Sequence, residues 1–483
     1  MLKKIVVLGI FIIVSSISLS AKKVVTPLDY GLLIAKNGIE RYGILLKCHQ
    51  DAVKNGYDVS YNGIESIYLE IPHSPQSIPL PDFVDFAGVE ITVDNTQKGT
   101  FLFSKKKEYK DIQVNASDID NGDYRGYSDI NGKGHFLLIV EDKIPWSDRI
   151  NYDEKAIRKD AILIKNGKSR CRPILTFNTP SSLPYTKYCR VTPEKKVIKN
   201  LSFVRTASST AKTYLFSIDG EYNLTLDNIR ITTPENDKEY ADFAIHIVNS
   251  VALSLKNITI NGTYSLERKV GYGVYLNNIN DLKVENMFAR AKWGVFGTHN
   301  LQHVLLKKCD INRFDIHTYG RDVKAVDCKF SNLYNQFSSV YGEISFEKCL
   351  FENEIPVLIE SSYNAFTPFE LKFSNCTFHL NEKINYLMTL FGVPEPYNER
   401  PELRRKCLPN ITVRDCKVVL DEDVNKWYLI KTGGVKYKDS FDYITNITMM
   451  NVKVKGNRDA DFEMSTEPLK TTYTIKTKVL FKK

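Results

Sequence analysis

The sequence predicts an all-β chain wound as a right-handed parallel β-helix, a solenoid with a small N-terminal helical cap. Three observations carry that expectation. An eight-residue unit recurs through the second half, from Leu224 to Ile231 and Leu253 to Ile260 down to Ile447 to Val454. Its sixth slot holds Ile229, Ile258, Met287, Cys309, Cys328, Cys349, Cys376, Cys416 and Val452, at spacings of 29, 29, 22, 19, 21, 27, 40 and 36 residues. Recurrence at roughly twenty to forty residues marks a stacked-coil architecture. Within each unit apolar and polar residues alternate as in a half-buried strand, and no helix-period segment separates the strands, which argues against an α/β fold.

Taken in order, the chain opens with Lys3 and Lys4, an apolar run from Ile5 to Val14 and a small-residue zone from Ser18 to Ala21. This reads as a cleavable signal of bacterial type over 1–20, so a secreted or periplasmic protein is expected. The run is too short to span a bilayer, and no membrane span is expected elsewhere. Residues 21–195 are expected to hold the cap and first coils, 196–455 the regular coils carrying the site, and 456–483 a C-terminal cap strand and tail. In the N-terminal third, the stretch from His49 to Asn55 suits a short amphipathic helix. The runs Ile67 to Leu69 and Val89 to Val93 read as early strands between Pro-rich turns.

The slot before the sixth position is often Asn: Asn228, Asn257, Asn286, Asn375 and Asn451, with Asn200 upstream. Asn tolerates the left-handed backbone of a tight corner, and stacked corners let the amides bond one above another. Nine cysteines in an exported chain would ordinarily suggest disulfides. Five of them fill one repeat slot, however, and so read as small apolar side chains stacked inside the coil. Cys171 and Cys189 flank a loop and are open to bridging. There is no C-x-x-C, and His299 and His303 straddle a turn rather than sharing a helix face, so no metal site is expected. A formal charge of +9 gives a weak lean toward a polyanionic partner, and no nucleic-acid partner is expected.

The stretch that includes Tyr30, Gly43, Ala52, Gly56, Ile71-Pro72, Ile78-Pro79-Leu80 and Asp85-Phe86-Ala87-Gly88-Val89 resembles the opening of pectate-lyase-like β-helix proteins. Within that superfamily it is most similar to secreted polysaccharide lyases of the glycosaminoglycan (chondroitin or dermatan sulfate) type. The resemblance covers about residues 30 to 455 and is one of fold, which hosts several chemistries.

Aligning the inward residues of successive coils places three outward columns side by side. One reads His246, Tyr275, Gly297, His317, Ser338, Glu360; the next Val248, Asn277, His299, Tyr319, Val340; a third Val295, Asp315, Gln336, Leu358. Asn277, His299 and Tyr319 are then expected about 4.8 Å apart, with His317 and Arg321 on the same face. A one-residue slip would turn every side chain to the other face.

These residue types suit β-elimination on a uronic acid. Asn277 and Arg321 would neutralise the carboxylate, His299 or His317 would take the α-proton, and Tyr319 would protonate the leaving oxygen. Tyr275, His246, Asp315 and Glu360 would line the substrate, with Arg268, Arg290, Lys292 and Trp293 bordering the same face. The patch lacks a carboxylate cluster, so no cofactor is expected; calcium, used by some lyases of this fold type, is not supported. The expected function is a lyase acting on an anionic polysaccharide of the chondroitin, dermatan or hyaluronan type. One rival is a glycoside hydrolase, whose two carboxylates must lie within about 9.5 Å, whereas Asp315 and Glu360 are expected roughly 10 Å apart. The other is a non-catalytic binding solenoid, which would favour aromatic platforms.

Overall fold

The computed structural model describes residues 22–94, 101–143, 147–148, 155–169, 184–206, 214–232, 243–261, 272–289, 294–316, 318–331, 333–338, 340–352, 354–360, 369–391, 409–433, 445–457, 459–466, 471–475 and 480–481. The protein is a right-handed parallel β-helix, with 27 strands of the described residues joined coil to coil in one sheet. Residues 243–261 show one turn of it. A first wall runs from Phe243 to Val248, a short second wall is Ser250 and Val251, a third runs from Leu253 to Lys256, and a fourth from Ile258 to Asn261.

Corners between these walls are made by left-handed residues, and they stack. The first column is Asn249, Asn278, Asn300 and Tyr319; the second is Asn223, Ala252, Asp281, His303 and Asp322. The third is the one expected from the repeat, from Asn200 through Asn228, Asn257 and Asn286 to Asn375 and Asn451, all at positive φ. Asn228 donates to the Asn200 side chain at 2.8 Å and Asn286 to Asn257 at 2.7 Å, while Asn257 turns aside to the Asp227 carboxylate at 2.7 Å, so the amide ladder forms in part. Elsewhere the slot holds Lys308, Asp327, Lys348 and Asp415, which take the same backbone form.

Cys309, Cys328, Cys349, Cys376 and Cys416 stack beside this corner as buried free thiols. Each sulfur lies 3.2 to 3.5 Å from the carbonyl two residues earlier, a bond that an aliphatic side chain would not supply there. Cys189 is also buried, while Cys171 lies outside the described residues.

The N-terminal helix is longer than expected, spanning Gly38–Asn55. Asn37 caps it by accepting from the Glu40 amide at 2.8 Å, Gly56 ends it in the left-handed region, and Tyr42, Leu45, Cys48, His49 and Ala52 face the first coil. His49 is fully buried, 2.9 Å from the Pro79 carbonyl through Nδ1 and 2.8 Å from the Tyr61 hydroxyl through Nε2. The carbonyl can only accept, so Nδ1 carries the proton and Nε2 accepts from Tyr61. Burial lowers its pKa from 6.5 to about 4, against a smaller opposing effect of the Pro79 bond. The unfolded chain therefore takes up this proton first, and stability falls by up to about 3 kcal/mol between roughly pH 6.5 and 4. Urea midpoints across that window should drop less in His49→Gln than in the wild type. Parallel declines would assign the acid lability to another group.

One element was not anticipated. Between the early coils lies a five-stranded antiparallel sheet of Lys110–Asp111, His135–Glu141, Lys159–Lys165, Lys168–Ser169 and Tyr185–Val191. Phe136 to Val140 and Ala161 to Ile164 are unbroken apolar runs because both sheet faces are buried. One face packs with Val251 on the short second wall of the solenoid. Among the described residues no helix is long and apolar enough to cross a membrane.

Candidate functional site

The candidate site lies on the outward face of the first wall. Ladder pairing puts Ser217, His246, Tyr275 and Gly297 level with one another, and Asp219, Val248, Asn277 and His299 one column over. Two of the expected columns therefore form as far as the coil of His299. The His246, Tyr275, Asn277 and His299 side chains are half-buried, and the rings of the face make a continuous run along the helix axis. Ring centroids are 5.0 Å apart for Phe101 and Tyr214, 5.7 Å for Phe101 and His246, 5.1 Å for His246 and Tyr275, and 6.0 Å for Tyr275 and His299. Where the column loses its side chain at Gly297, the ring of Tyr272 fills the gap: a Cβ on Gly297 would come 2.6 Å from it.

Electrostatically the patch is gentle. Burial lowers the His246 pKa, Asp219 partly restores it, and Lys106 lowers it further, so the imidazole favours its neutral form. Asn277 donates from Nδ2 to the Tyr275 hydroxyl at 3.3 Å, leaving that hydroxyl's proton directed elsewhere.

The expected neighbourhood breaks down one coil later. His299 is level with Thr318, not with Tyr319. Tyr319 takes φ 58° in the first corner column, above Asn300, and its side chain is fully buried. It therefore does not join the outward patch. The signal was present in the repeat itself: Cys309 and Cys328 are 19 residues apart, which carries His299 to position 318.

Arg321 is also displaced. It lies beyond the corner, on the short second wall level with Gln302, and its Nε is 3.2 Å from Asp322.

Asp315 keeps its expected column with Gln336 and Leu358, but in a different sheet. From this coil on, the first wall is a separate six-stranded sheet that starts at Asp315–Ile316. Asp315 is fully buried, its carboxylate 2.5 Å from Arg313 Nε. Arg313 in turn donates to Gln336 at 3.1 Å and lies 4.3 Å from the Tyr334 ring centre. Asp315 is thus spent on an internal ion pair rather than offered to a substrate. His317, Arg268, Arg290, Lys292 and Trp293 lie outside the described residues, as does the side chain of Glu360.

The structure adds Phe101, Tyr214 and Tyr272 to the face. Phe101 and Tyr214 belong to coils that precede the residues weighed from sequence; the aromatic count of the strands Phe101–Lys106 and Tyr214–Asp219 was the available signal.

No family model and no curated protein matches this chain. Among solved structures it is similar to the tailspike protein gp49 from Pseudomonas phage LKA1, with a TM-score of 0.60 at 12% identity over 94% of this chain and 78% of that one. It is also similar to the Gp54 tailspike of Acinetobacter baumannii bacteriophage AP22 in complex with A. baumannii capsular saccharide. There the TM-score is 0.50 at 12% identity, over 89% of this chain and 76% of that one. At such identities the likeness is one of fold.

Proposed function

We propose that this is an exported protein that binds a uronic-acid polysaccharide along the ring column and cleaves it by β-elimination. The observation that carries this reading is the grouping of Asn277, Tyr275 and His299 within a run of rings at coil spacing. Sugar faces stack on such rings, and a repeat of about 4.8 Å per coil supports an extended chain. His299 removes the proton on the carbon alpha to the carboxylate. The electron pair so released forms the new carbon-carbon double bond as the bond to the 4-linked oxygen breaks. Tyr275 gives its proton to that oxygen, replacing Tyr319 in the role expected from sequence. The remaining Asn277 N–H bonds the carboxylate, whose charge would otherwise oppose carbanion formation.

A second reading is favoured by one observation: the rings continue to Phe101 and Tyr214, beyond the reacting groups, as a binding platform would. The saccharide-bound fold neighbour is compatible with either. Burial of Asp315 in its ion pair removes the carboxylate on which the hydrolase reading leaned.

Ultraviolet absorbance of the unsaturated uronate separates the readings. With chondroitin sulfate, dermatan sulfate, hyaluronan and polygalacturonate as substrates, a rise on at least one is expected, and it should persist in chelator. New reducing ends without absorbance would make the protein a hydrolase, and retention of polymer without cleavage would make it a binder.

A further inference from the structure

The inserted antiparallel sheet and the candidate site are joined by one hydrogen-bonded chain. The Lys159 backbone N–H donates to Asn300 Oδ1 at 3.1 Å, Asn300 Nδ2 donates to Asn277 Oδ1 at 3.0 Å, and Asn277 Nδ2 donates to the Tyr275 hydroxyl at 3.3 Å. Its polarity is not arbitrary. A peptide N–H can only donate, so Asn300 must turn its oxygen to Lys159 and its NH2 to Asn277. Asn277 must then turn its oxygen inward and its NH2 to the outward face.

Asn300 leaves its own column to do this. In the coils below, Asn278 donates to Asn249 along the corner ladder, whereas Asn249, level with Gly220, steps one residue aside to Asp219. Asn300 sits level with Asn278 yet donates to Asn277. What the inserted strand fixes is the orientation of the Asn300 amide. Among the described residues that strand has no strand partner on one edge near Lys159, and the solenoid supplies side-chain amides there. Asn280 donates to the Ala161 carbonyl at 3.4 Å, Gln302 donates to Asp160, and Asn300 accepts from Lys159. Asn300 and Gln302 are both buried under the contact.

We infer that Asn300 is a positioning residue, and that the inserted sheet acts through it to hold the Asn277 amide with its N–H groups facing substrate. This rests on the elimination reading for its catalytic consequence, but the relay itself does not. It predicts a site preset before substrate arrives, with the carboxylate of a uronate as the group recognised.

Two variants test it. Asn300→Gly keeps the left-handed corner and deletes the amide; Asn300→Asp still accepts from Lys159 but cannot donate to Asn277, so the Asn277 amide must turn over. The first readout is hydrogen exchange of the Asn277 side-chain amide, followed by NMR in protein labelled at asparagine. It should be slow in the wild type and at least tenfold faster in Asn300→Gly. The second is steady-state kinetics on whichever polymer the wild type cleaves. There kcat should fall by about 10- to 100-fold with little change in KM, and further in Asn300→Asp than in Asn300→Gly. Equal exchange rates in wild type and Asn300→Gly would overturn the relay, and a wild-type kcat in both variants would overturn its positioning role. If the wild type cleaves no polymer, the elimination reading fails while the exchange experiment still decides the relay.

Discussion

Tyr275→Phe should lower kcat on the cleaved polysaccharide by about 10²- to 10⁴-fold, whereas Tyr319→Phe should leave kcat near the wild-type value. The two tyrosines differ in position, not chemistry. Tyr275 is half-buried among the outward rings, stacked at 5.1 Å on His246, with its hydroxyl held by Asn277. Tyr319 is fully buried at a corner. Because Tyr275→Phe keeps the ring, polymer retention on an affinity gel should persist while cleavage is lost. Cleavage at the wild-type rate by Tyr275→Phe would remove it from the acid's role, and loss of activity in Tyr319→Phe at unchanged stability would restore the assignment made from sequence.

Asp315→Ala should destabilise the fold by about 3 to 5 kcal/mol, because it leaves the Arg313 charge buried without its counter-ion. Both side chains are fully buried. Burial alone would push the Arg313 pKa down, but Asp315, Tyr334 and Tyr272 outweigh it and hold the guanidinium charge. The ion pair sits where the first wall leaves the large sheet and begins the six-stranded one. Urea unfolding should show the drop in midpoint. The joint replacement Arg313→Met with Asp315→Leu should recover much of it, since well-packed apolar groups often replace a buried pair without loss. An unchanged midpoint in Asp315→Ala would mean that the pair carries no stability.

The geometry of the candidate site was legible in part, and the reason is visible in particular residues. His246 with Tyr275, and Asn277 with His299, were placed correctly because their coils are 29 and 22 residues long with unbroken alternation, so counting along the strand suffices. Tyr319 was misplaced because a left-handed corner residue interrupts alternation, and the alignment there followed apolar residues across a junction between two sheets. Arg321 failed for the same reason, two residues past that corner. The inserted sheet was missed because its two central strands, His135–Glu141 and Lys159–Lys165, are buried on both faces and show no alternation to read.

What the sequence by itself determined is the coil. Periodic apolar residues, left-handed Asn corners and the cysteine slot are local requirements of a strand-turn-strand unit, repeated until only one way of stacking buries them all. What the tertiary structure alone decided is which polar groups meet. The register at the coil of Thr318, the burial of Asp315 against Arg313 and the reach of Lys159 across to Asn300 join residues 2 to 141 positions apart, through packing that no local pattern encodes. A fold can be read from period because period is a property of the backbone; a site depends on side-chain contacts, which exist only once the coils are stacked.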